Sequence, residues 1–335
     1  MKEKDSIINI LRLTSYASLF VGVFFVISAL FSSVASAEVV RTQLQLPAEN
    51  DFIVEPGKAE IFINPGETIT RTISITSRVA EDTTFTITAE DFVGSDDPQT
   101  PVVLLGEERG PYSLKDLLIP ELSTFTLSLG EKITIPITIS IPADAEPRGY
   151  YGAVIVGNRA GGDSASSTAE VSGNTKIISR IGVLFLLRVN GEVEEAGSVE
   201  DFKMLGPSKW AYQRAPEGFE ILFRNTGNVH LVPHGKITVR NFVGTNMDVL
   251  PVDAYFSLPD SLRYREVLWG DSPFMIGRYT AELEFYKGFG SETETHSVAF
   301  WVLPYKIIIP ALLVLLLISI FIYVVATRFE FKRKV

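Results

Sequence analysis

The chain has 335 residues, of which 30 are basic and 40 acidic, for a formal net charge of −10, and it has no cysteine. Without cysteine no disulfide can staple an exported part, so its domains must be large enough to hold together by their cores. The acidic balance disfavours nucleic acid and anionic lipid as partners for the bulk of the chain.

At the N-terminus, Lys2, Lys4 and Arg12 precede an apolar run from Ala17 to Phe31, and Ala35-Ser36-Ala37 follows as a small-residue cleavage signature. Residues 1–37 therefore read as a secretory signal peptide. Left uncleaved, the run would stay as a second membrane span, and the residues after it would still lie outside. Setting aside 1–37 and 305–335 leaves 267 residues with 22 basic and 37 acidic side chains, so the acidity resides in the middle of the chain.

Almost every segment of that middle part alternates with a period of two, the signature of a half-buried strand. Ile69, Ile73 and Ile75 interleave with Thr70, Thr72, Ser74 and Thr76, and Phe85 and Ile87 with Thr84, Thr86 and Thr88. Ile133, Ile135, Ile137, Ile139 and Ile141 form one wholly isoleucine face. Pro136 lacks a backbone donor, which predicts an edge strand or a bulge there. Turns fall at Glu55-Pro56-Gly57, Asn64-Pro65-Gly66 and Leu129-Gly130-Glu131, at the intervals of a β-sandwich. The single helical candidate, Ser113–Leu118, is short enough to be a one-turn connector.

Internal echoes set the domain count. Gly66-Glu67-Thr68-Ile69-Thr70 resembles Gly130-Glu131-Lys132-Ile133-Thr134, each launching a long strand. Gly149-Tyr150-Tyr151-Gly152-Ala153 is echoed by Gly277-Arg278-Tyr279-Thr280-Ala281, each opening a late strand. A tyrosine at that point, its hydroxyl tied back to the preceding corner, is a recurrent Greek-key device, so Tyr151 and Tyr279 are the expected corner residues. The competing reading makes Tyr150, Tyr151 and Tyr279 aromatics that stack on a ligand. The repeat predicts an all-β ectodomain of two tandem immunoglobulin-like sandwiches, 38–191 and 192–304. The Gly-, Ser- and Ala-rich stretch Gly157–Thr175 becomes a hairpin loop within the first, because Lys176–Asn190 still reads as its final strand. The near-continuous apolar run Val183–Leu187 predicts burial on both faces, the second of them against the other domain.

Ile307–Ala326 is 20 residues without a charge, enough to cross about 30 Å of hydrocarbon at about 1.5 Å per residue. Segment 305–327 is the predicted transmembrane helix. The tail 328–335, with Arg328, Lys332, Arg333 and Lys334, should be cytoplasmic, which makes the chain a single-pass type I cell-membrane protein with its middle part extracellular. Trp301 reads either as an interfacial anchor, with Tyr305, or as a core residue of the last strand. Leu303-Pro304-Tyr305-Lys306-Ile307 is not the Leu-Pro-x-Thr-Gly signal for grafting to the wall.

Nothing in the sequence reads as catalytic, and no cofactor or metal site is expected. His230 and His234 have helical metal spacing, but Pro233 between them rules against a shared helix face and no Glu completes a metalloprotease motif. They read as loop residues. Asp91, Asp96 and Asp97 offer the oxygen ligands calcium takes, but in a spacing that matches no established loop, and they read as a solvated turn. No nucleophile elbow or phosphate-binding loop is present.

The order of parts resembles the WxL-interacting protein family of bacterial surface proteins. The residues carrying the resemblance are Ile63-Asn64-Pro65-Gly66-Glu67, Ile141-Pro142 with Gly149-Tyr150-Tyr151-Gly152, Phe223-Arg224-Asn225-Thr226-Gly227-Asn228, and Gly277-Arg278-Tyr279. The resemblance implies a first domain that binds peptidoglycan and a second that binds host or partner proteins. The absence of cysteine and of any Asn-x-Ser/Thr acceptor between residues 38 and 304 agrees with a prokaryotic surface protein. The expected function is a non-enzymatic, membrane-anchored binding protein for cell-wall polymer or another surface protein, with recognition in the first domain and its loops Gly94–Leu118 and Gly157–Thr175. The alternative is a structural or accessory subunit of a membrane-associated surface complex.

Overall fold

The computed structural model describes residues 38–97, 99–159, 179–207, 209–270, 274–291 and 293–328. The signal peptide, the loop from residue 160 onward and the tail after Arg328 lie outside these residues. From Arg41 onward the chain is one compact unit.

Its strands are β1 (Val40–Gln43), β2 (Phe52–Glu55), β3 (Lys58–Ile63), β4 (Thr68–Ser77), β5 (Thr83–Val93), β6 (Val103–Leu104), β7 (Leu118–Pro120), β8 (Thr124–Leu127), β9 (Glu131–Ser140), β10 (Gly149–Arg159) and β11 (Arg180–Val189), followed by β12 (Gly197–Met204), β13 (Gly218–Asn225), β14 (His234–Asn241), β15 (Asn246–Val252), β16 (Ser261–Leu268), β17 (Gly277–Tyr286) and β18 (Thr293–Val302). A three-residue 3-10 turn, Lys115–Leu117, falls inside the expected connector, and α1 (Tyr305–Arg328) closes the described chain.

Strands up to Val189 make two sheets. One runs β1-β9-β4-β2, with β7 also on β9; the other runs β3-β11-β10-β5-β6, with β8 also on β5. The alternation explains their facing. All five isoleucines from Ile133 to Ile141 are buried, with Ile135 and Ile133 opposite the buried Ile73 and Ile75 of β4, and Phe85 and Leu127 are buried as well. Phe85 packs edge-on to Phe52 at 5.1 Å and stacks on Phe125 at 5.8 Å. At Glu55-Pro56-Gly57 the chain changes sheets, since β2 pairs with β4 whereas β3 runs parallel to β11. Proline suits that crossing because it has no donor to leave unpaired.

Pro136 departs from expectation. Strand β9 is interior, with β4 along one side and β7 on the other, and Arg41 of β1 bonds Glu131 at its start. The carbonyl of Pro136 accepts from Glu121 N at 3.0 Å, just past the end of β7. The missing N–H thus faces the side where the pairing with β7 ends, at Pro120 opposite Ile137.

Strands from Gly197 form the sheets β12-β13-β16 and β15-β14-β17-β18. Between them lies a core built on Phe219, Ile221, Phe223, Ile237, Leu283 and Phe285. Phe223 and Phe285 meet at 5.5 Å across the sheets, and Trp269 stacks on Phe219 at 6.0 Å. The indole N–H of Trp269 donates to Asp248 Oδ2 at 2.8 Å.

Candidate functional site

The chemistry-bearing side chains converge where the first pair of sheets meets the second. Strand β11 is buried on both faces: Val183, Phe185 and Leu187 turn to one side, Leu184 and Leu186 to the other. That second face continues through register partners on β10, with Tyr151 opposite Leu186 and Ala153 opposite Leu184. Phe92 of β5 joins it. The β15–β16 connection packs Leu258 and Phe256 onto this face, completing a small core shared by both sheet pairs.

Backbone and side-chain bonds tie the same joint. Gly149 N donates to Asn228 O at 2.9 Å, and Leu262 N to Ser95 O at 3.0 Å. Tyr112 Oη donates to Asp260 Oδ2 at 3.1 Å, and Arg224 Nη1 to Asp96 Oδ1 at 2.9 Å. Asn225, fully buried, holds the facing loops in shape by donating to Val229 O and Ser257 O, both at 2.9 Å, while accepting from Gly227 N.

Tyr151 departs from its expected role. Its ring sits between Phe92, Tyr112 and His230, with centroids 5.8 to 5.9 Å away, and its hydroxyl lies 3.3 Å from His230 Nδ1. The bond back toward the preceding corner is made instead by its neighbour, Tyr150 Oη to Glu146 O at 3.3 Å. Successive residues on a strand face opposite sides, so only one of two adjacent tyrosines can turn to the corner. Tyr279 Oη donates to Ile276 O and accepts from Ile276 N, both at 3.2 Å. Tyr279→Phe should therefore cost about 0.5–1.5 kcal/mol, the net worth of one hydrogen bond, read as a shift in the urea midpoint. A ligand-stacking tyrosine would lose binding with unchanged stability.

Burial sets the electrostatics of the joint. It pushes the His230 pKa down to about 4, despite Glu60, which acts in the opposite direction. It pushes the phenol of Tyr112 up to about 12, with the carboxylate of Asp260 adding to the effect, and raises that of Tyr151 further. At neutral pH His230 is uncharged and both tyrosines are protonated. The phenol of Tyr151 and the imidazole of His230 are enclosed against each other, so neither is presented to a substrate and the pair serves as a mechanical joint.

A pH dependence follows. The unfolded chain binds a proton at His230 near pH 6.5 and the folded chain only near 4. Stability from this group is complete above pH 6.5, falls as pH drops through that window and is fully lost below 4. At pH 5 the loss should reach about 2 kcal/mol. It should appear as the difference between the parent and His230→Asn in their change of urea midpoint from pH 7 to 5.

The other sequence candidates do not assemble into a site. Asp91 is buried, and its carboxylate accepts from Gly110 N at 3.1 Å and from Leu114 N and Lys115 N, both at 2.9 Å. Asp97 caps its own turn at Gln99 N and Thr100 Oγ1, while Asp96 is bonded to Arg224. Among the described residues no group of three or more His, Asp or Glu side chains is placed to hold a metal ion. His234 lies on β14 with Nδ1 3.3 Å from Val232 O, and His296 Nε2 is 2.6 Å from Glu294 Oε1. The expected recognition loop Gly94–Leu118 is taken up by the joint through Ser95, Asp96 and Tyr112, and held by Asp91 beneath it. Sequence reasoning missed Asp91 as an anchor and Asn225 as a loop clamp. The one available signal was an unpaired acidic residue inside a strand pattern.

No protein-family model matches the chain, and no curated protein matches it. Solved structures do. The class 5 fimbriae chaperone CfaA is 12% identical, covering 76% of this chain and 100% of its own at a TM-score of 0.37. The CupB2 chaperone of Pseudomonas aeruginosa is 11% identical, covering 74% and 100% at a TM-score of 0.33. The E. coli chaperone DraB is 11% identical, covering 76% and 98% at 0.32. At these scores the functional reading rests on the chain's own geometry.

Proposed function

We propose that this chain is a membrane-anchored, non-enzymatic recognition module of a prokaryotic cell surface, built of two sandwich domains, 38–191 and 192–304, carried on α1. The observation that supports it most is the use of the polar chemistry. Tyr112, Tyr151, His230, Asp91 and Asn225 all serve to lock loops or join the sheet pairs. At the other end of the second sheet pair, only Leu303 and Pro304 separate β18 from α1, a helix long and apolar enough to cross a membrane. Such a build transmits position and force and leaves recognition to exposed surface.

The positive-inside rule puts the tail after Arg328 in the cytoplasm and the sandwiches outside. The resemblance noted above points to wall polymer as the ligand of the first domain. Because the extracellular part is acidic, recognition there rests on hydrogen bonds and apolar contact and should change little with salt. Detergent-solubilised full chain is expected to sediment with purified peptidoglycan sacculi at both low and high ionic strength. Failure to sediment at either would remove the wall-binding reading and leave the accessory-subunit role.

A further inference from the structure

We infer that α1 is not the sole membrane contact: the helix-proximal end of the second sheet pair docks on the outer face of the bilayer by inserting the aromatic tips of three loops. The inference rests on α1 spanning the membrane as proposed above.

Register places the three loops at one end. Strand β18 leads to α1, and its last residue Val302 pairs with Gly277 of β17. Asn241, the end of β14, pairs with Tyr279, so the hairpin tip that follows reaches the level of Gly277. Strands rise about 3.3 Å per residue, and Val302 at that level is three residues before Tyr305, so the tip lies on the order of 10 Å from the start of α1 along this axis. The β12–β13 connection is clipped there too, because Tyr212 N donates to Trp301 O and Leu303 N to Tyr212 O, both at 2.7 Å. The β16–β17 connection ends at the same place by running into Gly277.

Each loop shows water a large apolar side chain at that end. Trp210 is 82% exposed, Phe242 79% with Val243 beside it, and Phe274 74% with Ile276 beside it. Single exposed apolar residues are ordinary, but three loop tips on one end, beside a membrane helix, form a patch that marks an interaction surface. Trp301 and Tyr305, both about half exposed, continue it to α1. Aromatic rings with one polar edge favour the headgroup level of a bilayer. Between the loops and α1 lies a cavity of about 310 Å³ whose lining includes Arg214 and Lys306 beside Phe274 and Ile307. Arg214 on the β12–β13 connection and Lys306 in the first turn of α1 suit lipid phosphate. A tether of two residues, its first clipped to Tyr212, holds the patch at the start of α1, where the outer face of the bilayer is the nearest surface.

The absence of cysteine makes the test clean. Full-length F242C, F274C, L316C in α1 and I119C on the remote strand β7 would each carry an environment-sensitive thiol fluorophore in phosphatidylcholine vesicles, with and without nitroxide-labelled lipid. The expected result is quenching of L316C, F242C and F274C at least about twofold stronger than that of I119C. If L316C is quenched and both loop probes behave like I119C, docking is overturned and the anchor stands. If L316C is not quenched, the anchor itself fails and the inference with it.

Discussion

Asp91→Ala is expected to lower the stability of the chain by about 3–5 kcal/mol, a fall in melting temperature on the order of 10 °C. The carboxylate is fully buried and accepts three backbone N–H bonds from Gly110, Leu114 and Lys115. Bonds to a charged acceptor are worth more than neutral ones, and each donor stranded without water carries its own penalty. The loop between β5 and β7 would lose the anchor that shapes it, and with it the placement of Ser95 and Tyr112 at the joint. Asp91→Asn separates charge from shape. Its amide oxygen can still serve Leu114 and Lys115, but its NH2 would then face the N–H of Gly110, so an intermediate loss is expected. A melting temperature unchanged in Asp91→Ala would show that the loop is held elsewhere.

The second large effect is expected at Gly149. A Cβ there would lie 2.0 Å from Tyr151 Oη and 2.5 Å from its Cζ, far inside contact distance. Tyr151 is one of the largest fully buried side chains, packed among Phe92, Tyr112 and His230, so its ring has no open space to move into. Gly149→Ala should therefore push the two sheet pairs apart, costing about 1–3 kcal/mol as overpacking does. Tyr151→Ala should cost about 3–5 kcal/mol through the cavity it leaves. Tyr151→Phe removes only one long bond to His230 and should cost about 1 kcal/mol or less. Limited proteolysis should report the same order, with the connection around Asn190 cleaved faster in Gly149→Ala and Tyr151→Ala than in Tyr151→Phe. Equal behaviour of all three variants would contradict the joint described here.

What was legible in the sequence was whatever depends on local periodicity. The isoleucine alternation of β9, the Thr-spaced strands β4 and β5 and the Pro-Gly turns name β-structure, because side chains on a strand alternate between a wet and a dry face. An apolar run as long as Ile307–Ala326 names a helix that can cross a membrane, because a single segment satisfies its own backbone in lipid only as a helix. The double burial of β11 was readable too, since Val183–Leu187 lacks the polar half of the pattern.

The tertiary structure alone decided which of two adjacent tyrosines turns to the corner, for the sequence echo aligns Gly149 with Gly277 but cannot say which face of β10 meets the neighbouring sheet pair. It decided that Pro136 lies in an interior strand, because that depends on where β7 ends. It made Asp91 an anchor and His230 a buried neutral ring, roles conferred by partners 19 to 79 residues away in the chain. A polar residue's function is set by its partners, and partners distant in sequence leave no periodic trace.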